Sequence, residues 1–393
     1  MDGDSSRRPL GAGAVGDAGG RPAARGGDRE DGGYTRRQRI VGLFAGLLLT
    51  AAALFCFALA GVHETYHRRV ERCENLPQRL GLPAEMIVLA ASDGTPLRGW
   101  WVPADSARGV VVLLHDLEGQ DASTLLPQGT FLRAARYSSF FLDLRAHGHS
   151  GGDRIALALE EPRDVAAALD WIATLPEARG LPVSLVGISS GGAVAIRSAA
   201  ARPDVAGVLS IGSFSSCCDL IAHGIRRMMP GARWLAEIRI PFYRLALVAT
   251  YRTWPAKASP VHDIPRIAPR PVLLVHGGRD RVVPVEQAMR LAAAGGPGTE
   301  LRVIDGAGSH FFSDDGAGPG EFDRAYRETV LGFLERVGAA DPTEPGGPGA
   351  ARPGVAPLVG CGSSCHGGAA GTAVREHRAA PCGTPVPGLA AGT

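Results

Sequence analysis

Apolar and polar positions alternate in a fixed rhythm between residues 86 and 338. Short continuous apolar runs, bounded by Gly, Pro or Asp, take turns with longer stretches whose apolar residues recur every three or four positions. The first pattern predicts buried strands and the second predicts amphipathic helices. Met86–Leu89 and Leu97–Val102 read as an opening hairpin around Ser92-Asp93-Gly94. Val110–Leu114, Ser139–Leu142, Val183–Val186, Val205–Ile211, Val272–Val275 and Leu301–Ile304 read as the strands of a central sheet. Between them, Val165, Ala168, Leu169 and Ile172 form one helical stripe, and Phe322, Tyr326, Val330, Phe333 and Val337 form a closing one. Strands alternating with helices predict an α/β domain, with a mostly parallel central sheet flanked by helices and ligands at the strands' C-terminal ends.

The rhythm breaks twice. From about residue 213 to 264 there is no central-type strand, and Met228, Met229, Trp234, Phe242, Tyr243, Leu245, Leu247, Tyr251 and Trp254 crowd together. This segment is expected to be a small helical cap with an apolar, aromatic pocket; packing of the same residues onto the sheet is the alternative. Ile40 to Val62 is the second break, 23 residues without a charge. At 1.5 Å per residue, a helix of that length crosses a hydrocarbon core of about 30 Å. Six arginines precede it and four follow within about twenty residues on each side, which favours a cytoplasmic N-terminus and an outward α/β domain. A cleaved signal peptide is the competing reading, since Ala58-Leu59-Ala60 has an A-x-A form; the apolar run is longer than a usual signal core. Residues 1–39 then form a disordered basic tail, 63–85 a linker, and 339–393 a Gly/Pro/Ala-rich tail expected to be disordered.

Within the domain the candidate chemistry sits after strands. Gly187-Ile188-Ser189-Ser190-Gly191 follows one strand and opens a small-residue helix. A strand-to-helix turn this sharp needs glycines beside its apex and presents the apex serine above the sheet, where its hydroxyl can attack. Asp280 lies just past the next-to-last strand, in His276-Gly277-Gly278-Arg279-Asp280-Arg281-Val282-Val283-Pro284, and His310 follows the last strand on a Gly-rich loop. Singly, Asp280 could cap a helix and His310 could be a surface residue. Together with Ser189 they supply a nucleophile, an orienting acid and a base in that chain order.

These motifs resemble the α/β-hydrolase superfamily, and among its members the membrane-anchored, serine-peptidase-like and esterase-like hydrolases with a small cap. Asp143-Leu144-Arg145-Ala146-His147-Gly148-His149-Ser150-Gly151 is similar to that family's D-x-R-G-H-G-x-S turn, and the resemblance runs from Met86 to Val337. It implies a catalytic triad of Ser189, Asp280 and His310, with the N–H groups of Ser190 and Leu117 as an oxyanion hole. The sequence departs from the family at His115-Asp116, where His-Gly is usual, and Glu118 adds a second acid; negative charge beside the hole opposes the charge it should hold. Ala146 for Gly is a milder departure.

Composition adds limits. The net charge of +2 gives no footprint for nucleic acid. His115, His147, His149 and Asp143 lack a tight metal-ligand spacing, and Cys361, Cys365, His366, His377 and Cys382 lack a second clear ligand pair, so neither metal nor cofactor is expected. Export would permit a disulfide among Cys73 and the tail cysteines, with no pairing specified. The expectation is a serine hydrolase acting on a small apolar ester or acyl substrate, with a peptidase, thioesterase, lipase or acyltransferase as rivals on the same triad. A catalytically silent, membrane-tethered binding module is the alternative of another class.

Overall fold

A computed structural model of the chain describes residues 34–67, 77–117, 121–255, 259–308 and 324–339. Most of both predicted tails, with the tail cysteines and histidines, lies outside these residues, as do Cys73, Glu118, Phe322 and His310. The chain divides into two units, Met1–Thr50 and Ala51–Thr393. In the first unit the described residues from Arg36 onward are helical, and every described side chain is exposed. They begin helix α1 (Arg36–Tyr66), which is long and apolar enough to cross a membrane. The helix starts ahead of the charge-free run and continues past it through His63 and Glu64.

The second unit is built on one eight-stranded sheet: β1 (Glu85–Ala90), β2 (Pro96–Val102), β3 (Gly109–Leu114), β4 (Tyr137–Asp143), β5 (Val183–Ile188), β6 (Val205–Ile211), β7 (Val272–Gly277) and β8 (Thr299–Ile304). The spatial order is β1-β2-β4-β3-β5-β6-β7-β8. β1 and β2 form the expected hairpin, β2 joins β4 antiparallel, and every later pairing is parallel. Asp93 shapes the hairpin turn by accepting the Thr95 N–H at 3.1 Å.

Strands buried on both faces have no polar side to show, which is why the central ones read as unbroken apolar runs. All six residues of β3 are buried. Val110, Val112 and Leu114 enter the core on one face, and Val111 and Leu113 the core on the other, following the period of two. Each such side chain contributes about 1.5–3 kcal/mol through burial. On the first face lie α3 (Pro162–Ile172), α4 (Ser190–Ala201) and α8 (Val285–Ala294); on the second lie α2 (Pro127–Ala134) and α9 (Arg324–Ala339). The predicted stripe Val165, Ala168, Leu169 and Ile172 is buried on α3, and Tyr326, Val330, Phe333 and Val337 are buried on α9. Between β6 and β7 the chain forms α5 (Cys217–Met228), α6 (Arg233–Tyr251) and a short α7 (Pro260–Asp263).

The turn after β4 is tied down ionically. Arg145 donates Nη2 to Asp164 Oδ1 at 2.7 Å and its backbone N–H to Asp164 Oδ2 at 2.9 Å, while Nη1 reaches Asp93 Oδ2 at 2.9 Å. The Arg145 side chain is 5% exposed and that of Asp164 0%. Removing one partner of a buried pair strands the other without water. Arg145→Leu is therefore expected to lower unfolding free energy by about 3–5 kcal/mol in urea titration. Arg324→Ala, which breaks the exposed pair with Glu328, should leave it nearly unchanged. Equal effects would remove the argument for a buried tie.

Candidate active site

The strand order fixes where a site belongs. From β3 the chain moves outward to β4, and from β5 it moves the other way through β6, β7 and β8. The crevice between the C-terminal ends of β3 and β5 is thus the switch point of the sheet. Two predicted groups flank it: Leu117, on the loop after β3, and Ser189, directly after β5.

Ser189 occupies the turn into α4 with φ +53° and ψ −115°, a conformation that L residues rarely adopt. Close backbone packing imposes it. A Cβ on Gly187 would overlap the backbone of Gly191, and one on Gly191 would overlap the carbonyls of Leu114 and His115, so α4 starts directly against β3 and β5. The turn is also pinned by hydrogen bonds. The Ser189 N–H donates to Ile211 O on β6 at 2.7 Å, and its own carbonyl accepts Gly192 N–H at 3.0 Å. Ser190 is the first residue of α4, so its N–H lies at the positive end of that helix.

Asp280 sits past β7, 7% exposed. Its Oδ1 accepts the N–H groups of Val282 and Val283 at 2.8 and 2.9 Å. Its Oδ2 lies 3.8 Å from Nε2 of the buried His276. That Nε2 donates to Val283 O at 2.7 Å, so His276 holds both ends of the acid turn. The sequence carried this residue within the His276–Pro284 motif, but as an unassigned strand end; its signal was a histidine closing an apolar run.

His310 falls outside the described residues, but the chain leading to it is described. Arg279 N–H donates to Ala307 O, and Gly278 N–H to Ile304 O, each at 2.9 Å. A Cβ on Gly277 would overlap the carbonyls of Ala307 and Gly308. The acid turn is therefore stitched to a point two residues before His310.

The loop after β3 is held from below by His115, which is fully buried. Its Nε2 accepts the Leu144 N–H at 3.1 Å, which assigns the ring proton to Nδ1, donated to Asp116 O at 2.8 Å. Burial, then the nearby His147, push the His115 pKa down to about 3, so the ring is neutral. Leu117 is half-buried, and its carbonyl lies 3.4 Å from His147 Nε2. Asp143 braces the same region by accepting Ala122 N–H at 2.7 Å and His149 N–H at 2.8 Å. These histidines and Asp143 thus serve as hydrogen-bonding turn residues, and no cluster of potential metal ligands occurs among the described residues.

The apolar crowding between β6 and β7 divides. Leu247 and Tyr251 are buried toward the sheet, whereas Met228, Trp234, Leu245 and Trp254 are exposed. A cleft of about 270 Å³ lies there, lined among others by Cys218, Asp219, Arg244, Val248, Trp254 and His262. Its lining is mixed polar and apolar, and of the nine residues predicted for an aromatic pocket only Trp254 contributes to it.

Residues 111–322 match the sequence profile of the Alpha/beta hydrolase family. Uncharacterized protein YfhR of Salmonella typhi is 25% identical over 269 residues, covering 64% of this chain and 82% of that protein. Uncharacterized protein Rv2307c of Mycobacterium tuberculosis is 29% identical over 223 residues, covering 56% and 71%. Among solved structures, the Pyrococcus furiosus esterase Pf2001 superposes with a TM-score of 0.53 at 22% identity, over 68% of this chain and 98% of that one. The alpha/beta hydrolase GrgF from Penicillium sp. sh18 gives 0.52 at 19%, over 66% and 100%.

Two expectations follow from the geometry. Strain at Ser189 persists in Ser189→Ala but is relieved in Ser189→Gly, so the glycine variant should be the more stable by about 1 kcal/mol in chemical denaturation. An alanine variant at least as stable would contradict a strained apex. For His115, the unfolded chain binds a proton near pH 6.5 and the folded chain only near pH 3. Stability should therefore fall as pH drops below about 6.5, by up to about 2 kcal/mol at pH 5 from this group. His115→Asn, compared at pH 7 and 5, should lose less than wild type; an equal loss would remove His115 as the cause.

Proposed function

The chain belongs to the alpha/beta hydrolase family, and on that premise we propose that it is a serine hydrolase that cleaves a carboxylic ester through an acyl-enzyme on Ser189. The observation that carries this reading is the strained apex, which lifts a serine to the switch point of the sheet and against the start of α4. A serine that merely ended a strand would have no need of positive φ there.

In the proposed reaction, His310 takes the Ser189 proton as the hydroxyl attacks the ester carbonyl. Asp280 orients the imidazole and stabilises its cationic form. The stitch between residues 278–279 and 304–307 supports this pairing, because it anchors the His310 loop to the Asp280 turn. The N–H of Ser190 receives the oxyanion, aided by the dipole of α4, and the N–H of Leu117 completes the hole across the crevice. His310 then gives its proton to the leaving alcohol, and water releases the acyl group by the same steps in reverse.

The long apolar helix α1 supports a further part of the reading: Ile40–Val62 anchors the enzyme in a membrane, N-terminus in the cytoplasm and catalytic domain outside. Protease added to sealed cells should degrade the domain; full protection would reverse the orientation.

A fluorophosphonate probe should label Ser189 and leave Ser189→Ala unlabelled. p-Nitrophenyl esters of graded chain length should be turned over, with Asp280→Asn and His310→Ala each slower in kcat by roughly 10³- to 10⁴-fold. Activity should rise with pH as the base loses its proton. A folded wild-type protein that is neither labelled nor active on any ester would favour the silent binding module.

A further inference from the structure

We propose that α6 is an interfacial helix, with an outer apolar stripe that lies against the lipid of the bilayer in which α1 is anchored. The proposal rests on the membrane reading of α1.

Helix α6 is apolar on two sides. One side packs into the protein through Ala236, Ile240, Ala246, Leu247 and Tyr251. The other carries Trp234, Ile238, Pro241, Leu245 and Ala249, all exposed and spaced by four, three, four and four residues, which is a single helix face. Trp234 is 67% exposed, Ile238 45% and Leu245 50%. Isolated exposed apolar residues are ordinary, but a stripe along a 19-residue helix is a surface with a partner.

The rest of α6 identifies that partner. Arg239 and Tyr243 face the C-terminal part of α1, within the second unit. The Arg239 guanidinium lies 4.7 Å from the ring centre of Phe57. Tyr243 packs so closely on Gly61 that a Cβ there would come within 2.7 Å of its hydroxyl oxygen. Ile155 ties the helix ends together: its N–H donates to Tyr66 O at 2.8 Å, and its carbonyl accepts the Tyr251 hydroxyl at 2.6 Å. Phe57 and Gly61 are among the last six residues of the charge-free run. If that run spans the bilayer, α6 is held at the depth of its final turns, where the hydrocarbon gives way to headgroups. A helix face at that depth, turned away from protein, meets lipid.

The chemistry of the stripe suits this place. Tryptophan favours the interface because its ring is apolar and its N–H is polar. One edge of the stripe carries Arg233, Glu237 and Arg244, and Glu237 is neutralised by Arg226 at 2.7 Å. Basic side chains beside an apolar face fit phosphate headgroups and can extend toward water. The stripe thus gives the catalytic domain a fixed seat on the membrane, which a single span with a loose linker would not.

The test uses the full chain reconstituted into vesicles of phosphatidylcholine and phosphatidylglycerol. Phosphatidylcholine brominated near the glycerol backbone should quench tryptophan emission, and Trp234→Phe should remove most of the quenchable part, whereas Trp171→Phe should not. Ile238→Asp combined with Leu245→Asp should abolish quenching of Trp234 while leaving the far-ultraviolet circular dichroism of the chain unchanged. Extraction with alkaline carbonate reads the anchor separately. A chain that resists extraction but shows no quenching of Trp234 overturns the interfacial helix and leaves the anchor standing. Release into the carbonate supernatant overturns both. Quenching that persists in the double variant, or a stripe buried in a self-associated species of doubled mass, also overturns the proposal.

Discussion

The backbone at Ser189 is held where a side chain is disfavoured, and most of the surrounding structure serves to hold it there. A residue at φ +53° and ψ −115° costs of order 1–3 kcal/mol and returns to ordinary geometry unless its neighbours forbid it. Here they do so by contact, since Gly187 and Gly191 leave no room between β3, β5 and the first turn of α4. Hydrogen bonds add to contact: Ser189 to Ile211, and Gly212 to Val275 at 2.8 Å, join the turn to β6 and β6 to β7. The small residues at the start of α4 belong to the same constraint, because a helix that begins this close to the sheet admits little beyond Gly and Ala.

Rigidity is unevenly distributed around that point. β3, β4, β6 and β7 are buried at every residue, so the loops after them emerge from a fixed frame. β8 is an edge strand with no fully buried residue. It is nonetheless fixed where it matters, because Arg279 and Gly278 bind the chain that leaves it. The acid turn is thus the intermediary: His276 and two backbone N–H groups fix Asp280, and the same turn fixes the path toward His310.

Much of this was legible in the sequence. The central strands were marked by their apolar runs, because strands buried on both faces cannot alternate, whereas β1, β2 and β8 are only partly buried and showed through weaker runs. The helix stripes of α3 and α9 were marked by their period, and the elbow by its two glycines. The environment of Asp280 was less visible. The motif placed it after a strand, but nothing in its spacing says that His276 reaches Val283 across the turn. The same holds for His115: in the sequence it marked only the position before the departure at Asp116, whereas its neutral state follows from complete burial and a backbone N–H at Nε2. Both are contacts that form only when distant segments meet.

The segment between β6 and β7 shows why composition alone misleads. Nine large apolar residues in one stretch imply burial, and a cap pocket or packing onto the sheet were the two expectations. Hydropathy counts such residues without saying which way they face. On α6 they fall on two sides, and only one side faces protein. An exposed Leu, Ile or Trp forgoes roughly 1.5–3 kcal/mol that burial would supply. In the proposed membrane setting the stripe meets hydrocarbon instead, and the contacts of Arg239 and Tyr243 with Phe57 and Gly61 hold the helix beside the C-terminal turns of α1. The C-terminal turns of α1 and helix α6 thus meet within one unit although they lie far apart along the chain, which no reading of the sequence in one dimension could show.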